Sequence, residues 1–235
     1  MFLRIADSEK EPLNTIIDSD DVCIPTSMRR LVKLIPVFNI IYPFWSADNI
    51  QLDTVFKSLK HCDTLLPLLE SVEKKGRKSV EASAVNKNEE LRVIPLQPLK
   101  DMLVFYNKYR EQLGITLTDN DIKLVKEYFC EFVRRNEFPE KSRRLGSVFF
   151  YENLLVADMA RKSRSQRNPG RFCEAEIVET RHIDRYDLRW LTDIRTTCLF
   201  KDCLDAVRNY WTGKMTKQPK IEIVFSGKYI LKELT

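Results

Sequence analysis

The stretch Lys123–Tyr151, K-L-V-K-E-Y-F-C-E-F-V-R-R-N-E-F-P-E-K-S-R-R-L-G-S-V-F-F-Y, decides how the chain is read. Ile122, Val125, Phe129, Phe132 and Val133 fall on one stripe at helical spacing, and Thr118-Asp-Asn-Asp121 supplies a cap with acids where the helix dipole favours them. Arg134 and Arg135 lie in the last turn, so helix-end charge accounts for them. Pro139 follows, and the chain passes a basic elbow at Ser142, Arg143 and Arg144, where no helix end explains the charge. Ser147–Tyr151 is then predicted to be a buried strand.

Working outward toward the C-terminus, Glu152-Asn153 opens a helix to about Lys162. The run 161–171, R-K-S-R-S-Q-R-N-P-G-R, is a basic loop that either touches phosphates or is simply solvated. Phe172–Val178 is predicted as a strand with Glu174 and Glu176 on one face and Cys173, Ala175 and Ile177 on the other. The two carboxylates serve either as an acid/base or electrostatic pair or as the wet side of an edge strand. Asp184–Leu191 reads as a turn tucking Leu188, Trp190 and Leu191 into the core. Leu199–Trp211 is a helix with Leu204 and Val207 inward, stopped at Gly213. Ile221, Ile223 and Phe225 alternate with Glu222 and Val224, and Ser226-Gly227 turns or bulges the chain into a last strand from Lys228 to Leu234.

Toward the N-terminus, residues 1–27 are rich in acids and suggest an extended arm or a loosely packed cap. Val37–Tyr42 is predicted as a strand ended by Pro43, with a turn at 46–49. Helical spacing over 52–60 and 65–69, around Pro67, gives two short helices or one kinked helix, with His61 between them as a surface or packing residue. Residues 72–90 are charged and small, as expected of a mobile linker. Leu91–Pro95 is a short strand and Leu99–Leu113 a helix stopped by Gly114. The expected division is an N-terminal extension or cap over 1–90 and an α+β domain over 91–235.

The 235 residues are 43% apolar with a formal charge of +5, which excludes disorder for most of the chain and permits an anionic partner. Six cysteines without a C-x-x-C pair, beside only two histidines, argue for reduced core thiols rather than zinc or a disulfide framework. A cytoplasmic setting follows from that and from an N-terminus lacking an apolar signal core. The most apolar segment, Leu31–Trp45, is shorter than the roughly 20 residues that span a bilayer. No phosphate loop, dinucleotide fingerprint, nucleophile elbow or metalloprotease motif occurs. Cys173, His182 and Asp184 form a catalytic triad on paper only, because they crowd one strand and the turn after it.

Several motifs together resemble a known group. They are V-R-R-x-x-F-P ending a helix at Pro139, the S-R elbow at Ser142-Arg143, S-V-F-F-Y-E at 147–152 and E-A-E-I at 174–177. D-x-x-W-L at 187–191 and A-V-R-N-Y-W-T-G at 206–213 complete the set. Over roughly residues 121–234 the pattern is similar to an uncharacterised bacterial and phage family with an ADP-ribosyltransferase-like fold, of the small rifampin-modifying type. The resemblance implies small split β-sheets with packed helices around a cleft for NAD, plus a helical N-terminal region. It implies Arg143, Arg144 and Ser147 at the pyrophosphate, Phe150 or Tyr151 against nicotinamide, and Tyr210 and Trp211 at the cofactor. Glu174 or Glu176 would stabilise the positive charge that develops on the ribose as the nicotinamide bond breaks. The histidine that such transferases carry on the first strand has no counterpart between Val37 and Trp45. Two functions follow as expectations. One is transfer of ADP-ribose from NAD to a macromolecular target, protein or nucleic acid, in a toxin or phage-conflict setting. The other is a non-catalytic interaction protein of the same fold that holds an anionic partner or another protein.

Overall fold

The computed structural model describes residues 1–7, 10–22, 37–39, 41–42, 51–82, 92–114, 117–144, 147–162, 170–194 and 199–234. In chain order the elements are β1 (Phe2–Ala6), β2 (Ile16–Asp18), α1 (Leu52–Lys60), α2 (Cys62–Lys74), β3 (Ser79–Ala82), β4 (Arg92–Pro95), α3 (Leu96–Leu113), α4 (Asp119–Glu137), β5 (Val148–Tyr151), α5 (Leu154–Lys162), β6 (Arg171–Asp187), α6 (Arg189–Thr192), α7 (Phe200–Trp211) and β7 (Ile221–Glu233). Helices accompanied by two separate antiparallel sheets make this an α+β protein. The chain divides into two units that interleave along the sequence. The first holds Met1–Leu31, Cys130–Ile194 and Asp205–Thr235, the second Val32–Phe129 and Arg195–Leu204.

In the first unit the strands run in the order β2-β7-β5-β1-β6, and a further β6–β7 pairing closes β7, β5, β1 and β6 into a ring. β1 sits between β5 and β6, with Leu3 opposite both Tyr151 and Glu174. The first segment is therefore not the loose arm that its acids suggest. Alternation sends Phe2 and Ala6 to one side of β1 and Leu3 and Ile5 to the other. Phe2 and Ala6 join Phe150, Cys173, Phe225, Tyr229 and Leu231 in one buried cluster. Leu3 and Ile5 pack with Tyr151 and Ala157 of α5 in a second.

A ring of four strands needs a sharp bend, and β6 and β7 supply it together. Two register shifts, between Ile177 and Glu179 and between Thr180 and His182, leave Val178 and Arg181 as extra residues on β6. Opposite them lies Gly227 at φ 151°. A Cβ at this position would stand 2.0 Å from the Glu179 carbonyl oxygen and 2.8 Å from Phe225 Cζ. Ser226-Gly227 was expected to turn or bulge the chain between two strands; it lies at the bulged part of the β6–β7 ladder, and Ile221–Glu233 runs through it as one kinked strand. The same bulges break the period of two after Ile177, which is why β6 runs to Asp187 and not to Val178.

The second unit packs α1, α2 and α3 with the β3–β4 hairpin. Phe38 stacks near Phe56 and Phe129 at 5.2 and 5.8 Å, and Phe129 meets Phe200 edge-on at 5.0 Å. Cys62 Sγ donates to the Leu103 carbonyl. The described residues of the stretch expected as a strand, 37–39 and 41–42, are helical. Their β-branched and aromatic side chains suit any buried element, so composition alone did not separate the two. The expected turn at 46–49 lies outside the described residues. Pro67 sits within α2, and exposed His61 separates α1 from α2. Of the linker expected at 72–90, the first residues end α2 and Ser79–Ala82 form β3, while 83–90 lie outside the described residues. Gly114 closes α3 in the left-handed conformation, at φ 60°. Cys62, Cys130, Cys173 and Cys203 are buried thiols that form no disulfide among the described residues.

Candidate functional site

The elbow is fastened from behind by the end of α4. Glu131 is buried and receives both Nε and Nη2 of Arg134, at 3.0 and 2.9 Å, and Nε of Arg135 at 3.0 Å. Arg134 also donates to the carbonyls of Pro139 and Lys141, at 3.3 and 2.9 Å. Helix-end charge is thus only part of its role: Arg134 ties the chain after Pro139 back onto the helix. Ser142 N–H donates to Asp184 of β6 at 3.4 Å, and Ser147 Oγ donates to the Arg143 carbonyl, closing the elbow on itself.

The two elbow arginines part company. Arg143 is exposed, and its guanidinium has no hydrogen-bond or ion-pair partner among the described residues. Arg144 is buried, 8% exposed, and its Nη1 forms an ion pair with Glu222 and donates to the Tyr210 hydroxyl at 3.3 Å. Tyr210 in turn donates to Glu222 at 2.7 Å. The guanidinium carbon lies 4.7 Å from the centre of the Phe149 ring and 5.6 Å from that of Tyr210. Burial, reinforced by the Glu222 carboxylate, raises the Tyr210 hydroxyl well above its ordinary pKa, so it remains a donor. This network is complete as it stands. Arg144 offers no open fork to a pyrophosphate.

The other expected cofactor residues are core. Phe150 and Tyr151 are buried on opposite faces of β5, against the two different clusters. Tyr210 stacks on Tyr186 at 4.6 Å, and Trp211 meets both edge-on, at 4.9 Å from Tyr210 and 5.2 Å from Tyr186. Trp211 Nε1 donates to the Cys130 carbonyl at 2.9 Å. Of the expected site residues, Arg144 is bonded to Tyr210 through its side chain, and Ser147 is bonded to the backbone of Arg143 and Arg144.

Glu174 and Glu176 do share a face of β6, opposite buried Cys173 and Ala175. Glu176 is exposed and lies 2.5 Å from Lys232 on β7, and Glu174 is half-buried opposite the same lysine. Wet-side pairing describes them. Cys173 is sealed in the ring while His182 is exposed, so no nucleophile–base pair forms with Asp184.

A second buried network lies inside the ring and was missed from sequence. β1 is the first strand, and it carries Arg4 rather than a histidine. Arg4, 6% exposed, donates Nε and Nη2 to Glu11 at 2.9 and 3.2 Å. Tyr229 donates to the same carboxylate at 2.7 Å, and so does the Asp7 N–H at 2.8 Å. Burial alone would raise the Glu11 carboxyl, but Arg4 and these donors outweigh it and hold the pKa below its ordinary value. Arg–Glu–Tyr therefore recurs at two ends of one sheet. The available signal was an arginine set in an apolar strand, F-L-R-I-A, with an acid seven residues on. For Glu222 it was an acid between two isoleucines.

Residues 51–233 match the model of the family described as protein of unknown function DUF2441. The chain belongs to this family. The match spans α1 to the end of β7 and leaves β1 and β2 outside it, although β1 completes the ring. No curated protein matches the chain. Among the described residues no helix is long and apolar enough to cross a membrane, and no group of three His, Cys, Asp or Glu side chains is placed to hold a metal ion.

Proposed function

We propose that this chain is a non-catalytic interaction protein on an ADP-ribosyltransferase-like framework, holding an anionic partner on the outer side of the elbow. One observation carries the reading: of the two elbow arginines, Arg144 is committed to Glu222 and Tyr210, while Arg143 stands exposed without a partner among the described residues. An exposed guanidinium on a loop held by Arg134 and Asp184 can recognise a phosphate or carboxylate with little ordering cost. The transferase alternative rests on Glu174 and Glu176 sharing one face, but Glu176 is paired with Lys232 and both Phe150 and Tyr151 are buried away from that face.

Two measurements test this. Calorimetric titration with NAD at millimolar concentration should give no binding heat and no nicotinamide release; release of nicotinamide would replace this reading with the transferase. On a polyanion matrix, Arg143→Gln should elute at lower salt than the native chain while its urea midpoint stays unchanged. Identical elution would remove the elbow as the binding surface.

A further inference from the structure

Between α7 and β7 the chain reads T-G-K-M-T-K-Q-P-K over 212–220, with a lysine at every third position and no acid. Among the described residues none of Lys214, Lys217 and Lys220 forms an ion pair. Elsewhere in the same unit lysines sit on carboxylates: Lys162 on Asp158 at 2.7 Å, Lys228 on Glu179 at 2.7 Å and Lys232 on Glu176 at 2.5 Å. The lysines of the 214–220 loop differ from these three.

The loop is also held in shape. Asp187, fully buried, accepts from Thr216 N–H at 2.9 Å and Thr216 Oγ1 at 2.6 Å through one carboxylate oxygen, and from Lys220 N–H and Arg189 N–H at 2.8 and 2.9 Å through the other. The Lys214 carbonyl accepts from Trp190 Nε1 at 2.6 Å, and Lys214 Nζ lies 5.7 Å from the centre of that indole ring. The Asp187 carboxylate is therefore consumed inside the loop, and among the described residues no ion pair compensates the three ammonium groups. Arg189 adds a fourth cation at the anchor, and its buried Nε has no hydrogen-bond partner among the described residues. Thr216 N–H and Lys220 N–H meet on one carboxylate, so the loop is folded into a turn and its three lysines form a compact cationic cluster that can face neighbouring phosphates of one backbone.

We propose that the 214–220 loop binds the phosphate backbone of a nucleic acid without regard to sequence, with Lys214, Lys217 and Lys220 as the phosphate contacts. Lysine is a point charge suited to such contacts, and backbone contacts alone carry no base information. A protein interface needs an apolar centre, and a bilayer needs inserted hydrocarbon; the loop offers one half-exposed methionine, Met215. The surface is distinct from the elbow, although the two share β6: Ser142 is bonded to Asp184 and Lys220 to Asp187, three residues along the same strand.

The test is fluorescence anisotropy of a labelled, mixed-sequence single-stranded oligonucleotide against the full chain over a salt series. Lys214→Gln/Lys217→Gln/Lys220→Gln should weaken binding at least tenfold at low salt and flatten the log K against log salt slope by about 2, three contacts at roughly 0.7 each. Its urea midpoint should stay close to that of the native chain, since Lys214 and Lys217 are exposed and half-buried Lys220 holds Asp187 through its backbone N–H rather than its side chain. No oligonucleotide binding by the native chain, an unchanged slope in the triple variant, or a preference for phosphatidylserine vesicles over the oligonucleotide would each overturn the proposal. Arg143→Gln separates the two surfaces. Loss in the lysine variant with Arg143→Gln unaffected supports the loop and removes the elbow, and the reverse pattern removes the loop.

Discussion

Gly227 lies directly against the carbonyl of Glu179, so close that a Cβ there would sit 2.0 Å from the oxygen. Backbone and not a movable side chain is the obstacle, and φ 151° is itself rarely adopted by L side chains. Ser19 locks the same point: its N–H donates to the Gly227 carbonyl at 2.9 Å and its Oγ accepts from the Gly227 N–H at 3.0 Å. Gly227→Ala should therefore cost roughly 3 kcal/mol, the strain and overpacking terms acting together. Urea denaturation measures it, and a loss within the ordinary surface range would show that the ring does not depend on this kink.

Removing one partner of the buried Arg144–Glu222 pair should cost more than removing both. Glu222→Gln leaves a buried guanidinium uncompensated, worth about 3–5 kcal/mol, whereas Arg144→Met with Glu222→Leu removes the charge entirely. The double variant should be the more stable of the two in urea. Equal losses would mean that solvent reaches the pair.

Asp187→Ala removes four accepted hydrogen bonds at once, an expected loss of roughly 3–4 kcal/mol at about 1 kcal/mol each. Amide hydrogen exchange gives the sharper readout: Thr216 and Lys220 should lose protection while residues of α7 before Gly213 keep theirs.

Asp18 carries a pH prediction. Hydrogen bonds from Arg181, then from the Asp20 N–H, lower its pKa to about 2. A carboxylate whose folded pKa is depressed adds stability that is present above its unfolded value, near 3.9, and is lost as pH falls through the folded one. The window here is therefore about pH 4 down to about pH 2. Carbon-detected NMR titration should place the Asp18 midpoint near 2 in the native chain and return it toward the ordinary carboxylate range in Arg181→Gln. Glu11 shifts in the same direction, so Arg4→Met should raise its midpoint as well.

Much of the helical framework was readable because its signals are local. Gly114 and Gly213 follow α3 and α7, Leu204 and Val207 point inward, and the alternation Cys173-Glu174-Ala175-Glu176 survives on β6. What escaped depends on partners distant in sequence. β1 looks too polar and too short for a central strand until Glu11 and Tyr229 satisfy Arg4. Glu222 reads as the wet face of its strand until Arg144, 78 residues earlier, is found covering it. The surroundings of the candidate site were hidden for the same reason. Arg144, Phe150, Tyr151, Tyr210 and Trp211 have the residue types of a ligand pocket, but in the fold those aromatic and cationic groups meet each other or the core.

The ring has a consequence for how the protein is made. β1 leaves the ribosome first, yet its neighbours are Val148–Tyr151 and Arg171–Ala175, and closure waits for β7. At ordinary synthesis rates some 150 residues take roughly 10–30 s, during which an apolar strand with both edges open has no native mate. The nascent chain must therefore carry its own keystone unpaired until β5 follows, and β7, the latest of the ring's strands to be made, closes the ring that holds β1.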